Sequence, residues 1–104
     1  MLPDYFIDEI LDNLKFKLDR DQLLGLYGKR CVRCAKEINL QVHEIEYKSE
    51  RPKTWMWWEN QVTLCYDCHS FVHRIGAKKG KVLLHDLQNR RLMQFYGRAI
   101  NREY

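Results

Sequence analysis

The sequence predicts a small α+β domain in which two short strands and one helix are gathered around bound metal, with helical segments on either side. Three observations predict it. Four cysteines stand in two C-x-x-C pairs, Cys31/Cys34 and Cys65/Cys68. His43 lies between those pairs, and His69 and His73 follow the second at a spacing that puts both imidazoles on one helix face. Two short stretches, 40–45 and 60–64, carry strand signals and lead into these ligands.

The totals bound the answer. A chain of 104 residues is one domain by default. With 45% hydrophobic residues it buries a core, though a small one that a metal staple would help. No apolar run approaches the ~20 residues of a membrane span, and the opening Met1-Leu2-Pro3-Asp4-Tyr5 lacks a basic stretch followed by an apolar one. The expectation is an intracellular chain that is not secreted and has no membrane partner. In that setting cysteines more often bind metal than pair as disulfides. The net charge of +4 is unevenly spread: residues 1–22 hold six acids against three bases, whereas residues 70–104 hold eight bases against two acids. A basic C-terminal third suits either a phosphate backbone or an ordinary solvated helix face.

Taken in order, residues 3–18 read as a helix. Pro3 suits a first turn, Asp4, Asp8 and Glu9 sit where the helix dipole favours acids, and Ile7, Ile10, Leu11, Leu14 and Leu18 recur at helical spacing. A second helix over 19–27 turns Leu23, Leu24 and Tyr27 inward and ends at Gly28. Residues 28–36 read as a knuckle that grips metal from a single turn. The strand 40–45 puts Leu40 and Val42 on one face and Gln41 and His43 on the other. Pro52 makes 46–53 a loop. Trp55, Trp57 and Trp58 then either cover one face of a thin domain or offer a ring for an unpaired base or a DNA groove. After the second strand, a helix starts at Asp67 or Cys68 and carries His69 and His73. Residues 76–81 read as a basic flexible loop, and 82–102 as a final helix. Its apolar stripe is Leu84, Leu87, Leu92, Phe95, Tyr96, Ala99 and Ile100, weakened by Gly97. Arg90, Arg91, Arg98 and Arg102 lie mostly outside that stripe. The chain therefore divides into a helical extension (1–27), a metal-binding core (28–75) and a basic loop with its helix (76–104).

Four thiolates in two C-x-x-C pairs make the closed tetrahedral set of a structural Zn²⁺. A site in which His69 replaces one cysteine is the rival set. With the thiolates filling the zinc shell, His43, His69 and His73 are left to form a second centre of nitrogen ligands. Three ligands leave positions open, which is the catalytic kind of site. Histidine-rich ligation leans away from Mg²⁺, which prefers oxygen.

Cys31-x-x-Cys34, Leu40-Gln41-Val42-His43-Glu44-Ile45, Asn60-x-Val62-x-Leu64-Cys65-x-x-Cys68-His69 and His73 together resemble the HNH endonuclease family in its zinc-stapled form, over about residues 28–75. The resemblance implies a ββα-metal (His-Me finger) core with a four-cysteine zinc knuckle, flanked here by N- and C-terminal helices. It also implies a metal-dependent nuclease whose partner is DNA, with RNA a further candidate, acting alone, as a homodimer or within a larger nuclease complex. Carried over by position, His43, His69 and His73 match the ligands of the catalytic ion (Mg²⁺, Mn²⁺, Ni²⁺ or Zn²⁺). Asn60 matches the asparagine that ties the loop and helps orient the base. Glu44 stands where the family usually has the general-base histidine. A glutamate titrates near ~4.3 and is the weaker base unless burial raises it. Glu44 could also bind the metal or pair with a nearby lysine or arginine. Arg74, Lys78, Lys79, Lys81, Arg90 and Arg91 are the candidates for the nucleic-acid backbone.

Two readings from other classes stand beside the nuclease. One is a non-catalytic zinc-stabilised DNA-binding module on the same fold, which loss of the histidine base favours. The other is a small adaptor or inhibitor that grips a protein partner through the tryptophan patch.

Overall fold

The computed structural model of the chain describes residues 2–100. Helix α1 spans Asp4–Asp12, α2 Arg20–Leu26, strand β1 Leu40–Glu44, β2 Gln61–Cys65, α3 Tyr66–Ile75 and α4 Ala77–Tyr96. A short 3₁₀ turn, Trp58–Asn60, leads into β2. The result is an α+β domain with one two-stranded antiparallel sheet and four α-helices among the described residues.

Helix α1 is shorter than its periodicity predicts: it stops at Asp12 rather than reaching Leu18. The tryptophan segment takes the following residues. The Trp58 indole Nε1 donates to Asn13 O at 3.0 Å, Trp58 N donates to Phe16 O at 2.8 Å, and Lys17 pairs with Trp57 as an isolated β-bridge. Trp58 is fully buried, so this contact outweighs the local preference for one more turn. Leu18 still reaches the core, but from an extended chain. Asp19 then starts α2 with a capping box. Its carboxylate accepts from Gln22 N, and the Gln22 side chain accepts from Asp19 N.

In the sheet, Leu40 faces Cys65, His43 faces Val62 and Glu44 faces Gln61. Strand β2 is buried along its whole length. Its outer edge is occupied by the knuckle and by the residue that ends α2: Val32 N donates to Thr63 O, the Thr63 hydroxyl donates to Arg30 O, and Tyr27 OH donates to Gln61 O. Strand β1 has one buried residue, His43, and otherwise half-covered or exposed positions. The second strand runs one residue later than the expected 60–64, and α3 follows at Tyr66, just before the expected start.

Residues 76–81 are not a flexible loop. Gly76 alone makes the break, at φ 90° and ψ 161°, a conformation open essentially to glycine. Helix α4 begins at Ala77 and carries Lys78, Lys79 and Lys81 on its first turns. Gly80 is buried against α3: a Cβ there would sit 3.0 Å from Val72 Cγ1, so the absent side chain lets the two helices close. Helix α4 also ends earlier than expected, at Gly97, which takes the left-handed conformation of a helix stop. Leu84, Leu87, Leu92 and Ile100 are buried as the stripe predicts, but Phe95 and Ala99 are exposed. Arg98 leaves the helix end to pair with Asp12 on α1. Arg102 lies outside the described residues.

The core joins Ile7 and Ile10 of α1, Leu23 and Leu26 of α2, Val62 and Leu64 of β2, Val72 of α3, and Leu84 and Leu92 of α4, around Trp58. Both flanking helical segments are therefore packed into the domain that carries the ligands. Helix α3 lies against both strands and against α4, which fixes the histidine-bearing face.

Candidate metal centres and the surface around them

The cysteine centre is assembled from three local structures. Cys31 and Cys34 sit on a tight turn closed by Ala35 N to Cys31 O and Cys31 N to Lys36 O, both 2.9 Å. Cys65 ends β2, and Cys68 lies in the first turn of α3. All four Sγ atoms fall within 4.8 Å of one another, and none is in a disulfide. The Cys34–Cys65 sulfur separation is 3.5 Å. A tetrahedral zinc–thiolate site has sulfur–sulfur edges of roughly 3.8 Å. The donor set and its spacing thus fit a structural metal such as zinc. Burial works to raise the Cys31 thiol, but hydrogen bonds from the backbone of Cys34, Cys65 and Arg33 prevail and bring it down to about 7. Burial pushes Cys68 up to about 12, against the Arg33 guanidinium that donates to its sulfur at 3.5 Å. Arg33 also stacks over the Phe71 ring at 3.8 Å, tying the knuckle to the middle of α3.

The histidine centre is separate from the sulfurs but shares α3 with them. His43, His69 and His73 each bring a ring nitrogen to within 4.8 Å of the others. The Nε2 atoms of His69 and His73 are 3.0 Å apart. Two nitrogens bound to one ion at about 2.1 Å would be roughly 3.0–3.4 Å apart. His69 groups with the other histidines, while the neighbouring Cys68 groups with the sulfurs. The centre is graded in exposure: His43 is buried, His69 half-buried and His73 exposed, so it opens toward solvent on the α3 side. Burial, with the nearby His69 and His73, pushes His43 down to about 4 from its ordinary 6.5. Burial, then His73, also lowers His69. These shifts favour the neutral form of His43 and His69, the form that binds metal.

Asn60 is fully buried and spans the loop between the strands. Its Oδ1 accepts from Glu46 N at 2.8 Å, and its Nδ2 donates to Glu46 O at 2.9 Å and Trp55 O at 3.0 Å. Glu44 lies outside the three-histidine group. It follows His43 in an extended strand, so its side chain leaves on the opposite face, across from Gln61. The ion pairs among the described residues do not include it.

The basic candidates divide. Lys81 is engaged by Glu50 at 2.6 Å and Glu46 at 3.7 Å, Arg90 by Asp86 at 2.9 Å, and Arg91 donates to Val32 O at 2.8 Å. Arg74, Lys78 and Lys79 are exposed and in none of the ion pairs among the described residues. Sequence reasoning missed several residues near the site. The Tyr47 ring meets His43 edge-on at 6.4 Å. Arg51 bridges Glu46 and the buried Glu59, bracing the loop between the strands. Lys48 lies over Trp55, and Lys15 and Arg51 lie near the Trp57 ring. Tyr47 stands four residues after His43 in a segment that reads only as polar loop, and its one signal was that proximity. No membrane-length apolar helix occurs among the described residues. Comparison of the chain with family models, with curated proteins and with solved structures returns no match.

Proposed function

We propose that the protein is a metal-dependent endonuclease of HNH type, built on a ββα-metal core, that hydrolyses phosphodiester bonds in DNA. The observation that carries this reading is the pairing of a closed four-cysteine group with an open three-histidine group on one helix. A domain that needed metal only to fold would have no use for the second.

In this reading His43, His69 and His73 hold a divalent ion. When bound, that ion supplies Lewis-acid stabilisation of the charge that builds on the phosphate and on the leaving oxygen. His43 enters the site buried and neutral, so its donor nitrogen is free at working pH. Asn60 fastens the loop after β1 and so holds the end of that strand, where His43 and Glu44 lie. Glu44, or another base held near it, takes the proton from the attacking water as the new P–O bond forms, and the P–O bond to the leaving 3′ oxygen breaks. Arg74, Lys78 and Lys79 bind backbone phosphates, giving salt-sensitive affinity that is largely indifferent to sequence.

The position of Glu44 across the strand from His43 favours one rival, a DNA-binding module on the same fold that no longer cuts. Nicking of supercoiled plasmid separates the two. Protein whose histidine centre has been stripped with a mild chelator is given Mg²⁺, Mn²⁺, Ni²⁺ or Zn²⁺, beside His69→Ala and Glu44→Gln. The nuclease reading expects ion-dependent nicking, lost in His69→Ala and reduced ~10²–10⁴-fold in Glu44→Gln, the range general-base catalysis supplies. Binding of DNA with no cutting under any ion would establish the module instead.

A further inference from the structure

Two of the three tryptophans are not spent on the core. Trp58 is fully buried, but Trp55 and Trp57 are only half-covered. Around them the chain brings together lysines from two distant segments. Lys15 Nζ lies 5.8 Å from the centre of the Trp57 ring, and Lys48 Nζ lies 5.4 Å from that of Trp55. Lys17 belongs to the β-bridge that pairs with Trp57, and Lys53 lies two residues before Trp55. All four lysines are exposed, and none is in the ion pairs among the described residues. The acids of this loop, Glu46, Glu50 and Glu59, are taken instead by Arg51 and Lys81. Each half-covered ring thus has beside it an exposed lysine outside the ion pairs among the described residues, and Arg51, held by Glu46 and Glu59, also lies 5.7 Å from the centre of the Trp57 ring. The ring-bearing loop starts at Tyr47, whose ring meets His43 of the histidine centre.

We propose that the Trp55–Trp57 face is a stacking platform for unpaired bases, and that the substrate of this protein is DNA with a single-stranded segment, such as a flap, gap or splayed end. The proposal rests on the nuclease reading only for the word substrate; the binding stands without it. A polyanion with a flat ring on every unit is the partner whose chemistry matches unpaired lysines set beside indoles. Stacking is tolerant of base identity, and the lysines supply the phosphate contacts that bracket each stacked base. Lys15 and Lys48 lie over the rings on flexible exposed side chains, which swing off to neighbouring phosphates when a base arrives. Paired DNA offers no free base face and is held by Arg74, Lys78 and Lys79 instead.

The test is fluorescence anisotropy without added divalent ion. The probes are a labelled twelve-residue oligothymidylate, the same oligomer with abasic sites, and a duplex of equal length. Trp55→Leu and Trp57→Leu are the ring variants; Lys15→Glu combined with Lys48→Glu changes only exposed side chains and guards against a ring variant that fails to fold. The expected result is oligothymidylate binding about ten- to a hundredfold weaker in the ring variants, with duplex binding changed less than about twofold. The abasic probe should bind wild type as weakly as the normal probe binds the ring variants, and the lysine double variant should weaken the single strand more than the duplex. Oligothymidylate binding unchanged in the lysine double variant, or equal losses for all three probes, would overturn the proposal. Single-strand binding through this face in a protein that never cuts would support it while refuting the nuclease reading.

Discussion

At the scale of single residues, the histidine centre is organised by how differently its three rings are buried. His43 is enclosed between β1 and α3, so its charged form loses hydration and also meets His69 and His73. Its folded pKa of about 4 lies below the ordinary 6.5 of an exposed ring. Between these values the unfolded chain binds a proton that the folded chain does not, so the stability present above pH 6.5 is lost as pH falls through about 4. Thermal melts of protein with zinc on the cysteines and no ion on the histidines should fall over this window. His43→Asn should flatten the fall relative to wild type, and a parallel pH profile in the variant would show that His43 does not drive it. The resemblance implied that Asn60 ties the loop, and its side chain makes three hydrogen bonds to Glu46 and Trp55 across that loop. Tyr47 and Arg51 were not legible. Their roles depend on which loop residues fold back onto β1 and the 3₁₀ turn, and local periodicity holds no record of that.

At the scale of elements, the sequence signal was strongest where a residue must do one thing. The alternation of 40–45, Gly28 as the stop of the second helix and the one-turn spacing of His69 and His73 all mark elements that exist close to the expected bounds. It was weakest where tertiary contact overrides local preference. Leu14 and Leu18 keep helical spacing, yet contacts with Trp58 and Trp57 hold that stretch in a turn and an isolated β-bridge rather than a helix. Gly76 and Gly80 together suggest a flexible loop, yet only Gly76 breaks the chain; Gly80 serves the close approach to Val72. Gly76→Ala places a Cβ in a region nearly closed to it and should lower the unfolding free energy by about 1–3 kcal/mol. Chemical denaturation measures this, and an unchanged midpoint would mean that the α3–α4 corner relaxes without cost. Because Lys81 on α4 pairs with Glu50 and Glu46, the same corner also positions the loop between the strands.

At the scale of the whole molecule, the proposed function divides the labour of the two ligand groups between folding and chemistry. The cysteines join the knuckle, the end of β2 and the start of α3, three segments that a core this small holds together only in part. Cys65→Ser, or a strong chelator, should therefore unfold the domain cooperatively, as seen by loss of far-UV helix signal. His69→Ala should leave that signal intact, since His69 is half-buried at the open end of the second group. The spacing of cysteines and histidines made both groups legible in the sequence. The division of the lysines was not legible, because whether a lysine is paired depends on acids brought from elsewhere in the chain, as Glu46 and Glu50 are brought to Lys81. The most direct test of the two-centre account is native mass spectrometry of wild type and His69→Ala, with plasmid nicking assayed on the same samples. The account predicts two ions on wild type, one zinc on a folded His69→Ala, and nicking only by the two-ion form. Equal ion counts on both proteins, or nicking by the one-ion variant, would contradict it.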